Sequence, residues 1–61
     1  MQPDDPMLTV EEVARELRVL PDTVRRWLRQ KKLRGIMLAN RRAWRIRTSE
    51  LQRFIEDRAH D

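Results

Sequence analysis

The sequence predicts a mainly α domain carrying one small β-hairpin, in the order helix, turn, helix, hairpin, helix. Three observations predict it. Apolar residues recur at helical spacing in three segments. Pro21 separates the first two of these patterns after only a short turn. Two β-type runs then flank a polar tip before the third helical pattern begins.

A chain of 61 residues is one small domain, and at that size folding buries only about 60% of the surface the unfolded chain exposes. Residues 1–7, beginning "MQPDDP", hold two prolines and two aspartates without apolar periodicity and read as a disordered lead-in. "LTVEEVAREL" then encodes a helix start. Thr9 as N-cap and Glu12 three residues later make a capping box, while Leu8 and Val13 fit a hydrophobic staple. Val10, Val13, Ala14 and Leu17 share one face, so the first helix should run from Val10 to Leu17.

"RVLPDT" is the turn, with Val19 placed to fill the angle between the helices. Pro21 fits the first turn of a new helix, and Val24, Trp27 and Leu28 repeat at helical spacing up to about Gln30. Asp22 can cap this second helix or interact with its dipole. Two helices joined this tightly must cross steeply, as in a helix-turn-helix. "LRGIMLA" and "AWRIR" around "NRR" predict strands Leu33 to Leu38 and Ala43 to Arg47 with a tip near Asn40. Gly35 allows a bend or a close backbone approach. Thr48 is a cap candidate for a third helix from Ser49 to Arg58, with Leu51, Phe54 and Ile55 on one face. The fold is therefore a winged helix-turn-helix over residues 8–58, with 59–61 a frayed tail.

Charge is segregated along this frame. Met1 to Asp22 carries six acids and two arginines, and Thr48 to Asp61 four acids and two arginines. Thr23 to Arg47 carries ten basic residues and no acid. Surfaces that only need solubility mix their signs, whereas a one-signed stretch makes a local field suited to phosphate or acidic lipid. On the second helix, Thr23, Arg25, Arg26, Arg29 and Gln30 lie opposite Val24, Trp27 and Leu28. In a helix-turn-helix this is the helix that enters the DNA major groove, where arginine pairs with guanine and a threonine methyl meets thymine. Asn40, Arg41 and Arg42 at the wing tip suit a narrow, strongly negative minor groove. Arg45 and Arg47 lie on the outer strand face. Trp27 and Trp44 belong to apolar faces and read as core rather than base-stacking platforms.

Other chemistries find little support. Cysteine is absent and His60 is the one histidine, so neither a metal site nor a nucleophile–base pair can be assembled. We expect no enzyme activity, cofactor, small-molecule ligand or membrane association, and a cytoplasmic, DNA-associated protein.

The stretches "LTVEEVARELRV", "PDTVRRWLRQKKL", "AWRIR" and "SELQRFIED" together resemble the excisionase-type, MerR-like winged-helix DNA-binding domains over residues 7–58. The resemblance implies Thr23, Arg25, Arg26 and Arg29 as recognition-helix contacts and Asn40, Arg41 and Arg42 as wing contacts. Three positions depart from the family pattern. Arg18 and Lys32 stand where glycine is common, and Leu20 replaces a serine-type cap. MerR-type regulators add a dimerisation helix and an effector domain, so a lone domain resembles a phage or mobile-element excisionase, a recombination directionality factor. Its implied partners are double-stranded DNA, an integrase and neighbouring copies of itself. The alternatives are a small transcriptional regulator of the same fold and a module binding an acidic protein.

Overall fold

A computed structural model describes residues 6–38 and 43–59 of the chain. Its elements are β1 (Met7–Leu8), α1 (Val10–Leu17), α2 (Pro21–Arg29), β2 (Ile36–Met37), β3 (Trp44–Arg47) and α3 (Thr48–Ala59). The strands form a three-stranded antiparallel sheet in the order β1-β3-β2. This is the expected winged helix-turn-helix, with one strand more than the sequence suggested.

The start of α1 forms as its residues dictate. Glu12 N–H donates to the Thr9 hydroxyl at 3.0 Å, and Thr9 N–H donates to the Glu12 carboxylate at 2.8 Å. Val10, Val13 and Ala14 of α1 meet Val24 and Leu28 of α2, Leu33, Ile46 of β3, and Leu51 and Phe54 of α3 in one buried cluster. Leu8, Leu17, Val19, Trp27 and Trp44 pack around it, half-buried.

Both helices of the pair end in the same way. Val19 N–H donates to Ala14 C=O and Arg18 N–H to Arg15 C=O, with Arg18 left-handed at φ 61°. Lys32 N–H donates to Trp27 C=O and Lys31 N–H to Leu28 C=O, with Lys31 at φ 63°. These are Schellman closures, which normally use glycine at the left-handed position. The left-handed residue before the wing is thus Lys31 rather than Lys32, whose N–H makes the outer bond. Left-handed backbone costs a non-glycine residue about 1–2 kcal/mol, partly offset because glycine is freer by about 0.5–1 kcal/mol when unfolded. Arg18→Gly and Lys31→Gly should each raise Tm by roughly 3–6 °C in thermal melts. A fall would mean that the replaced side chains hold the turns together.

Several boundaries differ from the sequence reading. Among them, β3 starts at Trp44 rather than Ala43, and α3 runs on to Ala59, expected in the frayed tail. Met7, expected in the lead-in, pairs with Arg47, and Leu8 pairs with buried Ile46. Thr48 secures this edge, since its N–H and its hydroxyl both donate to Pro6 C=O, at 3.0 and 2.7 Å. Thr48 is therefore the first residue of α3, and its hydroxyl is used away from the helix rather than as a cap. The first wing strand is only Ile36–Met37, because Leu33 is drawn into the core at 1% exposure and its N–H closes on Trp27 C=O. The hairpin continues past β2 by one bond, from Leu38 N–H to Ala43 C=O. Finally, α2 ends at Arg29, and Gln30 is its C-cap.

Gly35 supplies the close approach. A Cβ there would lie 2.7 Å from Leu28 Cδ2, 3.2 Å from Trp44 Cε3 and 3.3 Å from Arg45 C=O. Only a bare backbone lets the wing root lie this tightly against α2. Among the described residues no helix is long and apolar enough to cross a membrane.

Candidate nucleic-acid interface

The second helix begins at Pro21, after Leu20 in an extended conformation that makes no side-chain cap bond. Asp22 therefore does not cap the helix but lies within its first turn. Burial of Val24 and Leu28 fixes how the helix is rotated. At about 100° per residue, Asp22, Arg26 and Arg29 then fall within about 60° of one another, roughly opposite the buried pair. Arg26, Arg29 and Asp22 are all exposed.

The four residues expected on the recognition face separate into three situations. Arg26 and Arg29 share the outward stripe, and neither has a hydrogen-bond or ion-pair partner among the described residues. Thr23 lies on one flank, half-buried. Arg25 lies on the other flank, where its guanidinium bridges two carboxylates: Nη1 donates to Asp22 Oδ1 at 3.0 Å and Nη2 to Glu11 Oε2 at 3.2 Å. Such partly exposed pairs contribute about 0–1 kcal/mol each to stability. Their larger effect is positional, since they fix Arg25 between α1 and α2.

Further cations continue from the helix. Lys31, Lys32 and Arg34 are exposed on the segment that leads to the wing. On β3, Arg45 is half-buried and donates from Nη1 to Trp44 C=O at 2.9 Å. Arg25 and Arg45 both line an open groove of 230 Å³ between the start of α1 and the root of the wing, together with Thr9, Glu11 and Trp44. The wing-tip candidates Asn40, Arg41 and Arg42 lie outside the described residues.

Two residues of this surface were not singled out from the sequence. Asp22 was read only as a cap or dipole partner, although its spacing of four residues from Arg26 places both on one stripe. The sequence places Arg45 on the outer strand face, and only the register of β3 with its neighbours brings it to the groove that Arg25 also lines. The tryptophans are packing residues. Trp27 meets Phe54 with ring centroids 5.0 Å apart at 46°, and the Arg58 guanidinium lies 5.3 Å from each ring.

An exposed pair of arginines on the second helix of a helix-turn-helix, continued by a basic segment, can bond guanine edges while neighbouring cations meet phosphates. No curated protein and no solved structure matches the sequence. Residues 7–59 match the family described as helix-turn-helix domain. That span takes in every described element, and the chain belongs to this family of helix-turn-helix domains, an architecture of DNA recognition.

Proposed function

We propose that this protein binds double-stranded DNA sequence-specifically, with α2 in the major groove, and acts as an excisionase-type accessory factor. In that role several copies bind adjacent sites, bend the DNA and help an integrase release a mobile element. The protein itself breaks no bonds. The observation that carries DNA binding is the outward, unpartnered pair Arg26 and Arg29 on the second helix of the motif. The finer role is supported by the resemblance of residues 7–58 to excisionase-type domains. A further support is the separation in sequence of acidic Glu12, Glu16, Glu56 and Asp57 from the basic stretch, Glu11 being paired with Arg25. That separation would let the acidic surface of one copy meet the basic flank of the next. Bending a site by 40–90° costs on the order of 1–6 kcal/mol, which several bound copies offset better than one.

Substitutions along α2 should fail unequally. Arg26→Ala should weaken binding to a cognate site by about 1–3 kcal/mol and relax its sequence preference. Arg25→Ala should cost less, because its charge is already paired with Asp22 and Glu11. Asn40, Arg41 and Arg42 are assigned to the wing contact, and alanine at Arg41 or Arg42 should weaken binding more evenly across sequences. Equilibrium titrations on cognate and scrambled duplexes measure each effect. Unchanged cognate affinity for Arg26→Ala, Arg41→Ala and Arg42→Ala would refute this docking face.

The accessory role is tested by gel shifts with a bending readout on an attachment region, followed by integrase-dependent excision in vitro. Stepwise complexes with a growing bend, and excision only in the presence of the protein, are the expected outcome. A single unbent complex at a promoter without effect on recombination would instead identify a transcriptional regulator.

A further inference from the structure

We infer that Asp22 is a specificity-determining residue that selects cytosine beside the guanines met by Arg26 and Arg29. The inference rests on the proposed docking of α2 in the major groove and deepens it. Asp22 lies on the same outward stripe as the two arginines, and its side chain is 92% exposed. Its Oδ1 is held at 3.0 Å by Arg25, whose other nitrogen is anchored on Glu11 of α1 at 3.2 Å. The clamp fixes the direction of the carboxylate, and Oδ2 has no partner among the described residues. A dipole role at the helix start would need neither this anchor on another helix nor a place on the outward stripe.

An anion on a surface that approaches phosphates is repelled by the backbone, so generic affinity gains nothing from Asp22. The base edges treat it differently. A carboxylate only accepts hydrogen bonds, and the major groove offers donors at two atoms, cytosine N4 and adenine N6. Adenine places the acceptor N7 beside its donor, guanine shows two acceptors, and thymine shows an acceptor and a methyl. Cytosine alone presents its amino group without an adjacent acceptor. Asp22 therefore favours cytosine, is disfavoured at adenine by N7 and is repelled by guanine and thymine, while Arg26 and Arg29 favour guanine nearby. The Glu11–Arg25–Asp22 chain is a positioning relay, and Arg25 aims the carboxylate rather than reading a base.

The test is site selection from a randomised duplex library with the full-length protein, followed by titrations on single-base variants of the selected site. The wild type should require cytosine at one position, with a loss of about 5- to 150-fold when it is replaced. Asp22→Asn keeps the side-chain shape but gains an amide that pairs with adenine N6 and N7, so the preference there should move from cytosine to adenine. The same variant should bind random-sequence DNA more tightly than wild type at low salt. Glu11→Gln, which loosens the clamp, should blunt the cytosine preference without creating one for adenine. Thermal melts confirm that both variants remain folded. If Asp22→Asn tightens binding to every duplex equally and leaves the selected sequence unchanged, the inference is overturned while DNA binding stands. If the wild type selects no sequence at all, the major-groove docking fails with it.

Discussion

Raising salt from about 50 to about 200 mM should weaken duplex binding by about 500- to 4,000-fold. Eight of the ten basic residues between Thr23 and Arg47 lie among the described residues, and six of these (Arg26, Arg29, Lys31, Lys32, Arg34 and Arg47) are exposed. With five to seven phosphates neutralised, log affinity should fall against log salt with a slope of roughly −4.5 to −6, because each contact releases condensed counterions. Arg25 should add little to that slope, its guanidinium being already bridged to Glu11 and Asp22. Fluorescence titrations of one duplex at four or more salt concentrations give the slope directly. A value near zero would remove nucleic acid as the partner and favour an acidic protein surface.

Trp27→Ala should unfold the domain. Truncating a large aromatic costs up to about 3–5 kcal/mol in a core, and Trp27 packs half-buried against this one. A domain of this length has a total stability of only about 3–9 kcal/mol. The indole touches Phe54 and lies under the Arg58 guanidinium, so its loss also separates α2 from α3. Circular dichroism should show lost helix and urea titrations a missing or strongly shifted transition, with DNA binding lost as a consequence. Arg26→Ala should keep the full helical signal. If Trp27→Ala instead stays folded and loses only DNA binding, the indole is a contact with the nucleic acid rather than part of the core.

Much of the helical frame was legible because short-range chemistry specifies it. Thr9 and Glu12 determine the start of α1 by bonds that span three residues, and the repeat of Val24, Trp27 and Leu28 determines which side of α2 is buried. The sheet was less legible. Met7–Leu8 is too short to show an alternating pattern, and it is a strand only because Ile46 and Thr48 offer partners some forty residues away. Leu33 looked like strand because its apolar character does not distinguish a buried loop residue from a wing residue. The candidate interface was legible in its charges and not in their pairing. Arg25 and Arg26 are adjacent and identical in sequence, yet one faces Glu11 across the helix pair and the other faces outward. That difference arises from the packing of α1 on α2, which no local pattern records.

The β1–β3 pairing also sets an order of events during synthesis. Met7–Leu8 is made before Trp44–Arg47 and has no partner until that strand follows, and Thr48 cannot reach Pro6 before then. Closing a loop of this length costs only about 0.6 kcal/mol more than closing one half as long, so the delay is one of timing rather than of stability. A nascent chain stopped before residue 44 would therefore hold the helix pair with its apolar face uncovered, since Ile46, Leu51 and Phe54 are still missing. The helix pair is made before β3 and α3, but it gains a settled shape only when that strand and helix arrive.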